Sequence, residues 1–129
     1  MFIKITFAAA FGAALLLPAA AFADAAAEIS TAADHAGYAA ASLNIDAVRM
    51  HLHHAVNCLE GSKGKDFDSG NENPCAKEGN GAIPDAADAA TKAKLQAVVA
   101  TAESGIASSE ENTAKKAATD SYAALRAMK

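Results

Sequence analysis

Beyond residue 24 the chain is dominated by alanine, and glycine and proline are nearly confined to the stretch between Glu60 and Pro84. Alanine has the highest helix propensity of any residue, so such a chain has few alternatives to helix outside that stretch. Four helices are expected: about Ala25 to Ser42, about Ile45 to Leu59, Pro84-Asp85 to about Ala107, and about Glu110 to Ala127. Asn44 is placed to cap the second, and Ser108 with Glu111 forms a capping box for the fourth. Pro84 suits the first turn of the third, where its missing N–H costs nothing.

Large apolar residues repeat at helical spacing. Ile45, Val48, Leu52, Val56 and Leu59 share one face of the second helix; Leu95, Val98, Val99, Ala102 and Ile106 share one face of the third. The outer two helices are alanine stripes with sparse large residues: Ile29 and Leu43 in the first, Tyr122, Leu125 and Met128 in the fourth. Alanine faces let helix axes come close but bury little area each, so a thin core is expected. The halves also resemble each other. Ala36-Gly37-Tyr38-Ala39 and Ser104-Gly105-Ile106-Ala107 each precede a tight connection, which aligns Ala55 with Ala123. The expected fold is therefore all-α: a four-helix bundle of two helical hairpins joined by a long Gly/Asn-rich loop.

The first 23 residues read differently. Lys4 gives a positive start, Ile5 to Leu17 is an uncharged apolar run, Pro18 breaks it, and Ala21-Phe22-Ala23 offers the small residues of a cleavage site. That order is a secretory signal peptide. An uncleaved anchor is the alternative, since Ile5–Ala23 is nearly long enough to span a bilayer, but Pro18 and the small residues favour cleavage. No cysteine stands near the junction to carry a lipid. The expected product is a periplasmic or secreted domain of residues 24–129: a first hairpin (24–60), a loop (61–83) and a second hairpin (84–129). Losing 23 of 129 residues leaves 106, removes Lys4 and moves the formal charge from -4 to -5. That balance disfavours nucleic acid and anionic lipid as partners, because both need a concentrated basic surface.

Cys58 and Cys75 are the two cysteines, and in an oxidising compartment a disulfide is expected. It would pin the loop to a helix end and contribute about 3 kcal/mol on the loop-entropy model. Thiolate binding of a soft metal such as Cu(I) is the alternative. Asp66-Phe67-Asp68-Ser69-Gly70-Asn71 is spaced in part like a calcium loop, but Lys77 stands where the last glutamate belongs and the glycine is misplaced.

The histidines are the sharpest chemical feature. His51-Leu52-His53-His54 lies in the second helix and His35 in the first. With Leu52 inward, His51 and His53 fall about 100° to either side. His51, His54 and Cys58 then form a row on one flank, while His53, Asp46 and Asn57 occupy the other, with Arg49 nearby. A turn near Leu43-Asn44 sets His35 level with residue 52, within reach of either flank. Imidazoles one turn apart bind Zn, Cu or Ni, so His51 and His54 are the leading metal ligands, His35 and His53 the next, and Asp46 a carboxylate candidate. The competing account is four solvated or partly buried imidazoles that pair with Asp46 or Asp34 as pH falls. No C-x-x-C-H is present, which excludes covalent c-type haem. G-x-S-x-G, a phosphate-binding glycine loop and a paired-carboxylate cleft are all missing, and an enzyme is not expected.

The run His51-Leu52-His53-His54-Ala55-Val56-Asn57-Cys58-Leu59-Glu60-Gly61, with Asp66-Phe67-Asp68, Asn73-Pro74-Cys75 and Gly79-Asn80-Gly81-Ala82-Ile83-Pro84-Asp85, resembles a module of small exported proteins of Gram-negative bacteria. The resemblance covers about a third of residues 24–129 and implies export, with no activity attached. The alanine-rich hairpins with interhelical histidines also resemble small periplasmic metal-binding four-helix proteins, which carry histidine throughout rather than in one hairpin. The function expected is non-catalytic binding of a transition metal. The rival is an envelope interaction protein without metal, using the loop or an alanine face against a protein partner.

Overall fold

Helix α1 (Ala20–Ala41) puts Ile29, Ala32, Ala33, Ala36 and Ala39 on one buried face, a spacing of three and four residues. The computed structural model describes residues 20–129, with side chains from Ala25 onward. The signal-peptide reading of residues 1–23 thus falls almost wholly outside the described residues. The described chain forms five helices and no strand: α1, α2 (Ile45–Glu60), α3 (Ala82–Asp85), α4 (Ala89–Ala107) and α5 (Glu111–Arg126). Among them no helix is long and apolar enough to cross a membrane.

The helices form a bundle in which α1 lies against both α2 and α5, and α4 against both α5 and α2. Val48, Leu52, Ala55, Val56 and Leu59 from α2 meet Leu95, Val98, Val99 and Ala102 from α4, with Ala114, Ala118 and Leu125 from α5. The largest buried apolar side chains are leucines, and no described aromatic ring is fully buried. Each such leucine contributes about 1.5–3 kcal/mol by burial, whereas an alanine contributes far less. Close approach compensates in part. A Cβ on Gly105 would stand 2.8 Å from both Ala117 Cβ and Leu52 Cδ1, so the bare α-carbon lets α4 meet α5 and α2 at one point.

Several local expectations change. Asn44 does cap α2, accepting from Ala47 N at 2.9 Å. The expected third helix is divided: α3 ends at Asp85, the chain extends through Ala86, and α4 begins after a separate cap at Asp88, whose carboxylate accepts from Thr91 N at 2.8 Å. Asp85 turns back instead, accepting from Asn80 N at 2.8 Å, which fixes the loop exit rather than starting a long helix. The Ser108–Glu111 capping box does not form. Ser108 closes α4 and its hydroxyl takes Glu110 N at 3.0 Å, while its carbonyl accepts from the Arg49 guanidinium. Leu43 is no part of the core. It stands 90% exposed in the α1–α2 turn, beyond the last turn that α2 can cover.

The loop between α2 and α3 is a closed excursion. Gly61 (φ 67°) and Gly81 (φ 115°) meet backbone to backbone, and a Cβ on Gly61 would fall inside the Asn80 carbonyl group. Positive φ and this approach both require glycine. Cys58 and Cys75 are disulfide-bonded with Cα atoms 5.1 Å apart. From α1, the buried Glu28 carboxylate accepts from Gly81 N at 2.7 Å and Thr31 Oγ1 donates to Glu78 at 2.9 Å. The loop is thereby fastened to both helices of the first pair.

Candidate metal centre

Three imidazoles converge where α1 crosses the middle of α2. His51 and His54 are one turn apart on α2, and the tight turn at 42–44 brings His35 between them. His35 Nδ1 lies 3.4 Å from His51 Nδ1 and 3.3 Å from His54 Nδ1. One ring nitrogen from each histidine falls within a set no wider than 4.8 Å. Two nitrogens each about 2.0–2.1 Å from a tetrahedral ion are separated by about 3.3–3.4 Å, so both measured gaps have the span of a shared metal. His54 is buried, at 6% exposure; His35 and His51 are half-buried. The Tyr38 ring stands edge-on over His35 and His51, with centroids 5.5 and 5.6 Å away.

The electrostatics favour neutral rings. Burial lowers the pKa of His35, His51 and His54 below the ordinary 6.5. Repulsion adds to it: His54 and His51 act on His35, and His51 acts on His54. The carboxylate of Glu72 opposes the shift at both His35 and His54, and Asp34 opposes it at His35 alone. Neutral imidazole is the form that coordinates, so near pH 7 little proton release is needed to bind an ion.

His53 and Asp46 are not brought to this cluster. His53 faces the other flank, where its Nδ1 is 3.4 Å from Asp68 Oδ2. Burial raises the Glu103 carboxyl on the same flank, while His53 counteracts it. Asp46 sits in the first turn of α2 with its side chain 92% exposed, 4.0 Å from Arg49. It is too near the helix start to reach His51 and His54. The disulfide withdraws both thiols from metal chemistry.

Asn57 is the residue whose role spacing alone does not reveal. Fully buried one turn after His54, its amide nitrogen donates to the carbonyls of Asp68 (2.9 Å), Asn71 (3.2 Å) and Glu72 (3.0 Å). Its oxygen accepts from Asp68 N at 2.8 Å. The segment that is spaced in part like a calcium loop is an Asx turn: Asp68 takes Gly70 N at 2.8 Å and Asn71 Nδ2 at 3.0 Å, and these bonds hold its carboxyl below the usual range. The only sequence signal for this clamp is an asparagine at a helix-interior position beside Cys58 and facing the loop.

Comparison of the chain with family models, curated proteins and solved structures finds no match. The chemistry of the site is carried by its own geometry: three neutral nitrogen donors, fixed on two packed helices.

Proposed function

We propose that this is an exported, non-catalytic protein that binds a transition metal ion through His35, His51 and His54. The observation that carries the reading is the convergence of the three ring nitrogens at spacings of 3.3 and 3.4 Å. Imidazole donors suit Zn, Cu or Ni. The pairing of α1 with α2 and of α4 with α5 supports a four-helix bundle of two hairpins as the scaffold. The disulfide supports an oxidising compartment such as the periplasm. Calorimetric titration of the purified protein with Zn(II), Cu(II) and Ni(II) is the test. One ion per chain should bind, and a His51→Ala/His54→Ala variant should lose it. Equal binding by the two proteins overturns the proposal.

A second reading, an envelope interaction protein without metal, draws on Leu43 at 90% and Tyr38 at 56% exposure beside the α1–α2 turn. Its signature is the reverse pattern. Substitution of Leu43 or of the loop would abolish co-purification of a protein partner, and histidine substitutions would leave it intact.

A further inference from the structure

Between α4 and α5 runs a groove of about 390 Å³ in which the histidine cluster takes no part. Ala97 and Val98 line it from α4, and Ala124, Ala127 and Met128 from the last turn of α5 and just beyond. A volume of this size with a mostly apolar lining is what a small-molecule site offers. Ser121 is the exception in that lining. It is 1% exposed, and its Oγ finds no hydrogen-bond partner among the described residues. Thr101, which also lines the groove, satisfies its hydroxyl on Ala97 O at 3.1 Å, and Thr119 on α5 does the same on Lys115 O at 2.9 Å. Ser121 makes no such bond to the preceding turn, so a desolvated donor stands unpaired against the groove. The rim is charged. Asp120 is already met by Lys116, at 2.7 Å. Lys94 acts on Asp88 from a distance but forms no ion pair among the described residues, which leaves one positive charge over at the groove.

We infer that this groove binds a small amphipathic carboxylate of the medium-chain fatty acid type, its headgroup accepting a hydrogen bond from Ser121 Oγ and facing the Lys94 ammonium, its chain covering Ala124, Ala127 and Met128. The buried hydroxyl selects an acceptor, and a bond to an ionised acceptor is stronger than one to a neutral oxygen. Lys94 sets the sign of the charge. From Ser121 to Ala127 the groove follows α5 for about 9 Å, the reach of a chain of about eight carbons. None of its lining residues belongs to the histidine centre, so each site stands or falls without the other.

Titration of the purified protein with octanoate, kept below its micelle-forming concentration and followed by amide NMR, tests this, with 1-octanol as the neutral comparison. Octanoate should shift the amides of residues 94–101 and 120–128 and leave those of His35, His51 and His54 in place. Ser121→Ala should weaken binding by at least about tenfold, the worth of a hydrogen bond to a charged group. Lys94→Gln should weaken it by about two- to fivefold, and salt should erase that difference. Without ligand, Ser121→Ala should melt no lower than the wild type, because it removes an unpaired buried group. A lower melting temperature would mean that the hydroxyl is already paired in the free protein, and the proposal falls. It falls equally if octanoate shifts no amides along the groove or binds Ser121→Ala as tightly as the wild type. Octanol binding as tightly as octanoate, or undiminished binding by Lys94→Gln, overturns the carboxylate.

Discussion

The side-chain amide of Asn57 holds the main-chain carbonyl of Glu72 at 3.0 Å, from a position one turn beyond His54 on the same helix. One buried side chain therefore ties the loop at Asp68, Asn71 and Glu72 to α2. Replacing Asn57 by Ala would leave loop carbonyls and the Asp68 N–H without partners. A fully buried orphan costs about 1–3 kcal/mol, but these bonds are only part-buried and water can replace some of them, so a total loss of about 2–4 kcal/mol is expected in urea unfolding. Asn57→Asp should be at least as damaging, because a carboxylate cannot donate to three carbonyls. A loss below about 0.5 kcal/mol, the range for ordinary surface changes, would show that the clamp is dispensable.

Acid should loosen the fold before it titrates the carboxylates. His35, His51 and His54 all have folded-state values below 6.5, the value taken for the unfolded chain. Between those lowered values and 6.5 the unfolded chain binds more protons, so stability rises with pH across that window. It is lost as pH falls through 6.5, and this source adds nothing once all three rings are neutral in both states. Glu72 and Asp34 partly offset the repulsion, while His53 lies close enough to add to it at His54. Melting temperatures followed by circular dichroism from pH 4.5 to 8 should slope upward to about 7, taking the reference imidazole value as guide. His35→Gln, which cannot titrate, should flatten the slope; an unchanged slope would remove the cluster as its cause.

The two glycines that align in the sequence repeat should respond oppositely to alanine. Gly105→Ala drives a Cβ to 2.8 Å from Ala117 and Leu52, both within the packed interior. Overpacking of this kind costs about 1–3 kcal/mol, more than the helix gains from losing glycine, about 1 kcal/mol. Gly37→Ala meets only the Tyr122 ring at 3.3 Å, and that ring is 37% exposed and can shift. That variant should be neutral or gain up to about 1 kcal/mol. Denaturant midpoints of the pair decide it. A reversed order would mean that Gly105 is no close-approach site.

Helical character, the Asn44 cap and the buried row of α2 were all legible in the chain, because each depends on neighbours within one or two turns. So was the grouping of His51 with His54. The choice of His35 over His53 was not, since it depends on which side of α2 the first helix packs. Alanine hid the break at Ala86–Asp88, because a run that tolerates helix everywhere marks no boundary. The Asp85 and Asp88 side chains set that boundary through partners three and five residues distant. Glu28 was invisible for a different reason. A carboxylate within an alanine stripe reads as solvated until the distant Gly81 N–H is placed against it.

The Gly61–Gly81 neck and the Cys58–Cys75 bond together change what a break in the chain means. A protease that cuts once between Gly61 and Pro74 separates two peptides that are still one covalent molecule, joined through sulfur. The helices on either side keep their meeting point at the neck, and His35, His51 and His54 all remain on the same fragment. Such a cut would relax the loop without dividing the histidine row.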